Sequence, residues 1–215
     1  MKIYIIRHGE TDANALGVLQ GWTDIPLNQS GIELARITGE AMKDIKFDAA
    51  ISSPLSRAHQ TAETFLAASG NVHVKLEYDD RIKEAFMGDW EGLKCGKKGC
   101  DIGEENMKVF FSDPFELPGG GFPGGETIQQ VCDRSQQFLR ELIARDDDRT
   151  YLVSTHGLLL RAMLNMFYED KKDFWHGHIP YNCVINIIDA EGGKATLTGD
   201  DLIFYDRSKC IDRYV

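Results

Sequence analysis

Hydrophobic positions along the chain alternate between two periods. Residues 2–6 (Lys-Ile-Tyr-Ile-Ile) form a short β-branched and aromatic run that predicts a buried strand. A loop through Gly17, Gly21 and Pro26 follows. Leu34, Ile37, Ala41 and Ile45 then share one face of a helix, with Asn28 or Ser30 as its cap and Ser30-x-x-Glu33 fitting a capping box. Residues 48–52 predict a second strand. Ser53 and Pro54 read as cap and first position of a helix whose apolar stripe is Leu55, Ala58, Ala62, Phe65 and Leu66. A third strand is expected within 72–78, a helix over about 126–145, a strand over 150–155 and an apolar helix over 157–168. Strands at 183–189 and near 194–198 complete the pattern. Strands alternating with helices imply an α/β fold: a three-layer α/β/α sandwich around a mostly parallel central sheet.

The stretch 85–125 breaks the alternation. It holds Pro114, Pro118, Pro123 and the run Pro118-Gly-Gly-Gly-Phe-Pro-Gly-Gly125, and reads as irregular. At 215 residues the chain is expected to be one domain, 1–215, with an insertion at about 93–125 over one face.

Charge narrows the partners. With 24 basic and 34 acidic residues the formal net charge is −10, which repels nucleic-acid backbones and anionic membranes but leaves room for a small basic pocket. No apolar run approaches the ~18 residues of a membrane span, and Ile3 to Ile6 is too short for a signal peptide. Cys95, Cys100, Cys132, Cys183 and Cys210 are odd in number and irregular in spacing, which predicts free thiols and a cytoplasmic location.

Ligands of such sheets bind beyond the carboxyl ends of the strands. Arg7-His8-Gly9-Glu10-Thr11 follows the first strand, Ser53-Pro54-Leu55-Ser56-Arg57 the second, and His156-Gly157 the strand 150–155. Two arginines and two histidines thus converge on one edge, with Gly9 and Gly157 expected to let the backbone approach a ligand. Arg57 falls in the first turn of a helix, where a cation opposes the macrodipole; a bound dianion between the two satisfies both. A neutral His8 beside a phosphate can attack phosphorus, provided one ring nitrogen is pinned by an acceptor such as a backbone carbonyl. Arg7, Arg57 and His156 suit the equatorial oxygens. A leaving alkoxide needs a proton, for which Glu84 is the first candidate, with Glu91 and Asp89 as competitors.

The segments Arg7-His8-Gly9-Glu10-Thr11 with Asn14, Ser53-Pro-Leu-Ser-Arg57-Ala, Lys83-Glu84-x3-Gly88-x-Trp-Glu-Gly92 and His156-Gly157 together resemble the histidine phosphatase superfamily, in its phosphoglycerate mutase-like branch. The resemblance runs in order from residue 3 to about 165. It implies a phosphohistidine intermediate on His8, Arg7, Arg57 and His156 around the phosphoryl group, and Glu84 as acid and base. Thr11, Asn14, Gln20, Gly21 and Gly157 would line the substrate side. It also implies no metal and no cofactor, a small phosphate ester as substrate, and an insertion that caps the active site.

Gly88-x-Trp-Glu-Gly92 resembles the phosphatase members more than the mutases, so hydrolysis is the expected reaction. A 2,3-bisphosphoglycerate-dependent phosphoglycerate mutase is the alternative, and a non-catalytic phospho-ligand module the second. Phe110, Phe111, Phe115 and Phe122 are candidate pocket walls or insertion packing, and Lys94, Lys97, Lys98 and Lys108 candidate second anion contacts. His176-x-His178 is a minor metal candidate. Trp175, Tyr205 and Tyr214 do not define a dimer, and the sequence leaves the oligomeric state open, a homodimer included.

Overall fold

The computed structural model describes residues 1–96 and 99–210. In chain order its elements are β1 (Lys2–Arg7), α1 (Asp12–Leu16), α2 (Gln29–Ala41), β2 (Ala49–Ser52), α3 (Ser56–Ala68) and β3 (Leu76–Tyr78). A two-residue ribbon, β4 (Cys95–Gly96) and β5 (Gly99–Cys100), comes next. The chain continues through α4 (Glu104–Ser112), α5 (Ile128–Ile143), β6 (Thr150–Thr155), α6 (Gly157–Leu164), β7 (Ile185–Glu191) and β8 (Lys194–Leu202).

Six strands form one sheet in the order β3-β2-β6-β1-β7-β8. The first four run parallel, while β7 and β8 are antiparallel additions at one side. Successive strand residues face opposite layers. On β1, Ile3 and Ile5 enter a core shared with Tyr151, Val153, Val131, Leu139 and Leu159. Tyr4 and Ile6 enter a second core with Leu152, Leu34, Phe47 and Phe65. Both faces of the parallel strands are therefore covered, by α2 and α3 on one side and by α5 and α6 on the other, as the strand–helix alternation implies.

Several boundaries differ from expectation for local reasons. Asn28, not Ser30, caps α2, accepting from the Gly31 N–H at 2.9 Å. Glu33, the acid of the supposed capping box, pairs with Arg36 instead. Helix α3 begins at Ser56 with no side-chain cap from Leu55, so Ser53 and Pro54 precede it. Of 72–78 only Leu76–Tyr78 is strand, α6 gives way to a 3-10 turn over Asn165–Phe167, β7 starts and ends two residues later than expected, and β8 runs on to Leu202. The insertion is less irregular than its prolines suggest: α4 follows Gly103, whose φ is 83°, and buries Phe110. Phe110 and Phe122 both pack into the core, and their rings meet Trp90 edge-on. Cys95 and Cys100 face each other across the ribbon as free thiols. Lys97, Lys98 and Tyr214 lie outside the described residues. Among the described residues no helix is long and apolar enough to cross a membrane.

Gly9 has a packing reason. A Cβ there would fall 2.5 Å from the Gly31 carbonyl oxygen in α2, closer than real contacts allow. The glycine lets the loop after β1 lie against α2. Gly9→Ala should therefore lower stability by about 1–3 kcal/mol in urea unfolding, the usual cost of forcing atoms into a packed interior. A change within ~0.5 kcal/mol would mean that α2 yields freely.

Candidate active site

Parallel pairing brings the two histidines together. β1 and β6 run in register, Arg7 opposite Thr155, so the residues that follow both strands emerge at the same edge. The His8 N–H donates to the Thr155 carbonyl at 2.8 Å. The His8 and His156 ring centroids are 5.2 Å apart. Arg7 ends β1, and Arg57 reaches the site from the first turn of α3, beside the end of β2. Arg57 is 1% exposed, His8 2% and His156 fully buried.

Hydrogen bonding fixes the His8 tautomer. Its Nδ1 lies 2.7 Å from the Gly9 carbonyl oxygen, which can only accept, so Nδ1 carries the proton and Nε2 presents its lone pair. Burial, then the charges of Arg57 and Arg7, hold this imidazole well below its ordinary pKa, and it is neutral at neutral pH. His156 is held low by burial and by Arg57 as well. Its Nε2 is 2.7 Å from the Ser53 hydroxyl, which gives Ser53 a site contact in place of the expected capping role.

The guanidinium groups are held by carbonyls rather than carboxylates. Arg57 donates to the Gly21 carbonyl at 2.7 Å and the Thr23 carbonyl at 3.0 Å. Arg7 donates to the Pro180 carbonyl. Burial pushes Arg57 down to about 10, which leaves it charged at neutral pH. Gly157 matters for packing here: a Cβ on it would sit 3.1 Å from Arg7 Nε. Arg7 Nε, Arg57 Nε and His156 Nδ1 are buried without a hydrogen-bond partner. Interiors seldom leave such groups unsatisfied, and these three belong to the residues that meet at the sheet edge.

The loop that receives Arg57 is built by acids far away in sequence. Asp24 accepts from the Ser56 N–H and hydroxyl, both at 2.7 Å, supplying the negative group that α3 lacks at its own N-terminus. Glu91 accepts from the N–H groups of Trp22 at 2.8 Å and Thr23 at 2.9 Å and from the Thr23 hydroxyl at 2.6 Å. Glu91 is thus committed to the loop, and Asp89 is exposed. Glu84 is the buried carboxyl group of the three, its oxygens facing the N–H groups of Ala85 and Leu159 at 3.0 Å and of Leu158 at 3.3 Å. Sequence reasoning missed Arg134. It donates to the carbonyls of Arg81 and Lys83 at 2.7 Å and of Glu84 at 2.9 Å, and is itself fixed by Glu126. Trp22 Nε1 also donates to the Glu84 carbonyl.

Thr11 and Asn14 are buried in a reciprocal capping box at the start of α1, with the Thr11 hydroxyl 3.0 Å from Gln20 Oε1. Gly21 has a φ of 52°, and a side chain there would strike Glu91. These residues shape the loop beside the site. A cavity of about 50 Å³ is lined by Arg7, Glu84 and Gly157 and by the apolar Leu19, Met87, Phe110, Leu158, Trp175 and Ile179. A hollow of about 510 Å³ elsewhere is lined by Glu10, Gln29, Glu33 and Lys209 among others, and shares none of these site residues. His176 and His178 lie in a loop, not on a strand. Among the described residues no cluster of His, Cys, Asp or Glu is disposed to hold a metal ion.

Comparison with known proteins agrees with the architecture. The chain is 32% identical over 189 residues to the Bacillus subtilis protein named Uncharacterized phosphatase PhoE, covering 88% of this chain and 89% of that one. It is 30% identical to 2,3-bisphosphoglycerate-dependent phosphoglycerate mutase 2 of Gloeobacter violaceus, covering 75% of this chain and 73% of that one. The solved structure of Bacillus stearothermophilus YhfR superposes with a TM-score of 0.83 at 26% identity, covering 94% of this chain and 97% of that one. The family profile described as Histidine phosphatase superfamily (branch 1) matches residues 3–199. With its buried histidine pair at the sheet edge and this match over nearly its whole length, the chain belongs to the histidine phosphatase superfamily, whose members are phosphatases and mutases.

Proposed function

We propose that the protein hydrolyses a small phosphomonoester through a phosphohistidine on His8. The observation that carries this reading is the set of unpartnered buried donors, Arg7 Nε, Arg57 Nε and His156 Nδ1, around a histidine whose Nε2 is free. In the first step His8 Nε2 donates its lone pair to phosphorus and the P–O ester bond breaks. The leaving alkoxide takes a proton from Glu84, on the wall of the same cavity as Arg7. In the second step Glu84 removes a proton from water, the hydroxide oxygen bonds to phosphorus, and the P–N bond breaks. Orthophosphate leaves and Nε2 regains its lone pair. Arg7, Arg57 and His156 hold the equatorial oxygens as charge spreads over them.

The apolar wall of Leu19, Met87, Phe110, Leu158, Trp175 and Ile179 supports water as the acceptor. A mutase must hold a second charged hydroxy acid beside the phosphohistidine, and these side chains offer such an acid no pairing. In this reading the insertion caps the site by supplying Phe110 to that wall.

The deciding experiment is turnover of a phosphomonoester panel in EDTA, with and without 2,3-bisphosphoglycerate. Phosphate release in EDTA that disappears in His8→Ala is the expected result. Isomerisation of 3-phosphoglycerate dependent on bisphosphoglycerate, with little phosphate released, would replace hydrolysis by mutase chemistry. Binding without turnover would leave a phospho-ligand module.

Removing one transition-state contact, in Arg57→Ala, should lower kcat/KM by about 10²–10³. Glu84→Gln should slow alkyl phosphates far more than aryl phosphates, whose leaving oxygen needs less protonation. Equal slowing of both would remove Glu84 from the proton-donor role.

The buried imidazoles also set a pH dependence of stability. Both are held below the unfolded value of about 6.5, so the unfolded chain binds more protons as pH falls. Their contribution is fully present above that value and is lost on acidification. Each adds a slope of up to about 1.4 kcal/mol per pH unit. Denaturant melts of the wild type should lose stability from pH 7.5 to 5.5, and His8→Gln should lose less. Saturating phosphate should flatten the wild-type curve, because a bound dianion favours the charged rings. Identical slopes for wild type and variant would show that His8 is not buried in its neutral form.

A further inference from the structure

A third buried arginine lies away from the phosphate pocket that holds Arg7 and Arg57. Arg161, on α6, is 1% exposed, and α6 is the helix that follows His156 and directs N–H groups at Glu84. Its guanidinium donates to Asp201 Oδ2 at 2.5 Å, to the His178 carbonyl at 3.1 Å and to the Tyr168 hydroxyl at 3.3 Å. Asp201 Oδ2 is also 3.5 Å from His178 Nε2, and the Asp201 N–H donates to Asn186 on β7. The contacts to Tyr168 and His178 tie the connection between α6 and β7 to Arg161 and Asp201, which are themselves anchored on α6 and β8.

That connection reaches the active site at several points. It carries Trp175 and Ile179 to the cavity wall. Its Pro180 carbonyl receives the Arg7 guanidinium, and the Asn182 amide donates to the His8 carbonyl at 3.0 Å. From His176 to Val184 it has no strand or helix of its own; backbone bonds tie its end, Cys183 and Val184, to Arg7, and side-chain bonds hold the carbonyls of His178 and Pro180 before it. The His178 carbonyl held by Arg161 lies two residues before the carbonyl held by Arg7. One guanidinium therefore fixes the backbone that orients another.

We infer that Arg161 and Asp201 form a clamp on residues 178–182 that positions Arg7, through the Pro180 carbonyl, for binding the phosphoryl group. The inference rests on the proposed phosphate pocket and adds positioning residues outside it. Arg161 is a positioning residue: the two terminal nitrogens of its guanidinium donate into the clamp, to Tyr168, the His178 carbonyl and Asp201. Its effect on the reaction passes through backbone and appears as the direction of the Arg7 donors. A misdirected guanidinium weakens phosphate in the ground state and the transition state alike.

Asp201→Asn is the variant of choice. It keeps the side-chain shape, and asparagine tolerates the left-handed backbone at this position, where φ is 46°. It removes the charge that pairs with Arg161. Inorganic phosphate binding, read by calorimetry, should weaken by about tenfold, and kcat/KM for an aryl phosphate should fall by a similar factor, the scale of one charge-assisted contact. Phe47→Leu, in the core behind the opposite face of the sheet, serves as a control for general destabilisation. At a matched thermal midpoint it should leave both quantities within about twofold, the usual independence of distant sites. Arg161→Lys, which keeps the charge, should fall between wild type and Asp201→Asn.

Phosphate affinity in Asp201→Asn equal to that of Phe47→Leu would make the pair structural only and overturn the inference. If the wild type binds phosphate but turns over no ester, the hydrolase reading falls and the clamp is judged on affinity alone. If the wild type binds no phosphate, both fall.

Discussion

Positive charge is buried at the carboxyl edge of the sheet with acids nearby but none, among the described residues, in direct ion pair with Arg7 or Arg57, and much of the surrounding structure follows from that constraint. Two guanidinium groups and two imidazoles occupy one interior point. Carboxylate partners would relieve them and cancel the field an anion needs. The fold instead gives the guanidinium groups carbonyl oxygens, from Gly21, Thr23 and Pro180, and keeps the imidazoles neutral. A carbonyl satisfies a donor while leaving its charge in place. The cost of that arrangement moves outward, because each such carbonyl must be fixed by something else. Glu91 fixes the loop that carries Gly21 and Thr23 from another part of the chain, and Asp24, within the loop, ties it to Ser56 at the start of α3.

Glu84 is handled by the same logic with the sign reversed. A carboxylate paired tightly with Arg7 or Arg57 would occupy the anion's place. Here backbone N–H groups of Ala85, Leu158 and Leu159 hold its oxygens, while Arg134 and Trp22 hold its own carbonyl. The acid is kept at the cavity wall by dipoles, and the arginines keep donors free for a ligand.

What the sequence revealed and what it concealed divide along the same line. β1, β2 and β6 and the residues just past them were legible because strand period and the edge rule are local signals. Arg7, His8, Arg57 and His156 do meet at one edge, and Glu84 reaches the cavity beside Arg7. The contacts that hold them were not legible. Asp24 to Ser56, Glu91 to Thr23 and Arg134 to Glu84 join residues whose separation carries no periodicity. Gly9 and Gly157 were read as openings for a ligand, and their packing roles, one beside α2 and the other beside Arg7, carried no local signal. Thr11 and Asn14 carry a cap on a helix too short to show a stripe. In the insertion, prolines and glycines around 118–125 hid the helix that seats Phe110.

The cavity beside Arg7 and Glu84 sets a last condition on the fold. Its apolar side is shared between segments far apart in sequence, with Phe110 from the insertion facing Trp175 and Ile179 from the connection after α6. Trp175 Nε1 donates to the Phe110 carbonyl at 2.7 Å, and their rings meet edge-on at 5.3 Å. The insertion and the connection after α6 are therefore coupled, and opening one without the other exposes a buried donor and acceptor. The wall of the cavity thus depends on two segments that hold each other, and a change in either is felt by both.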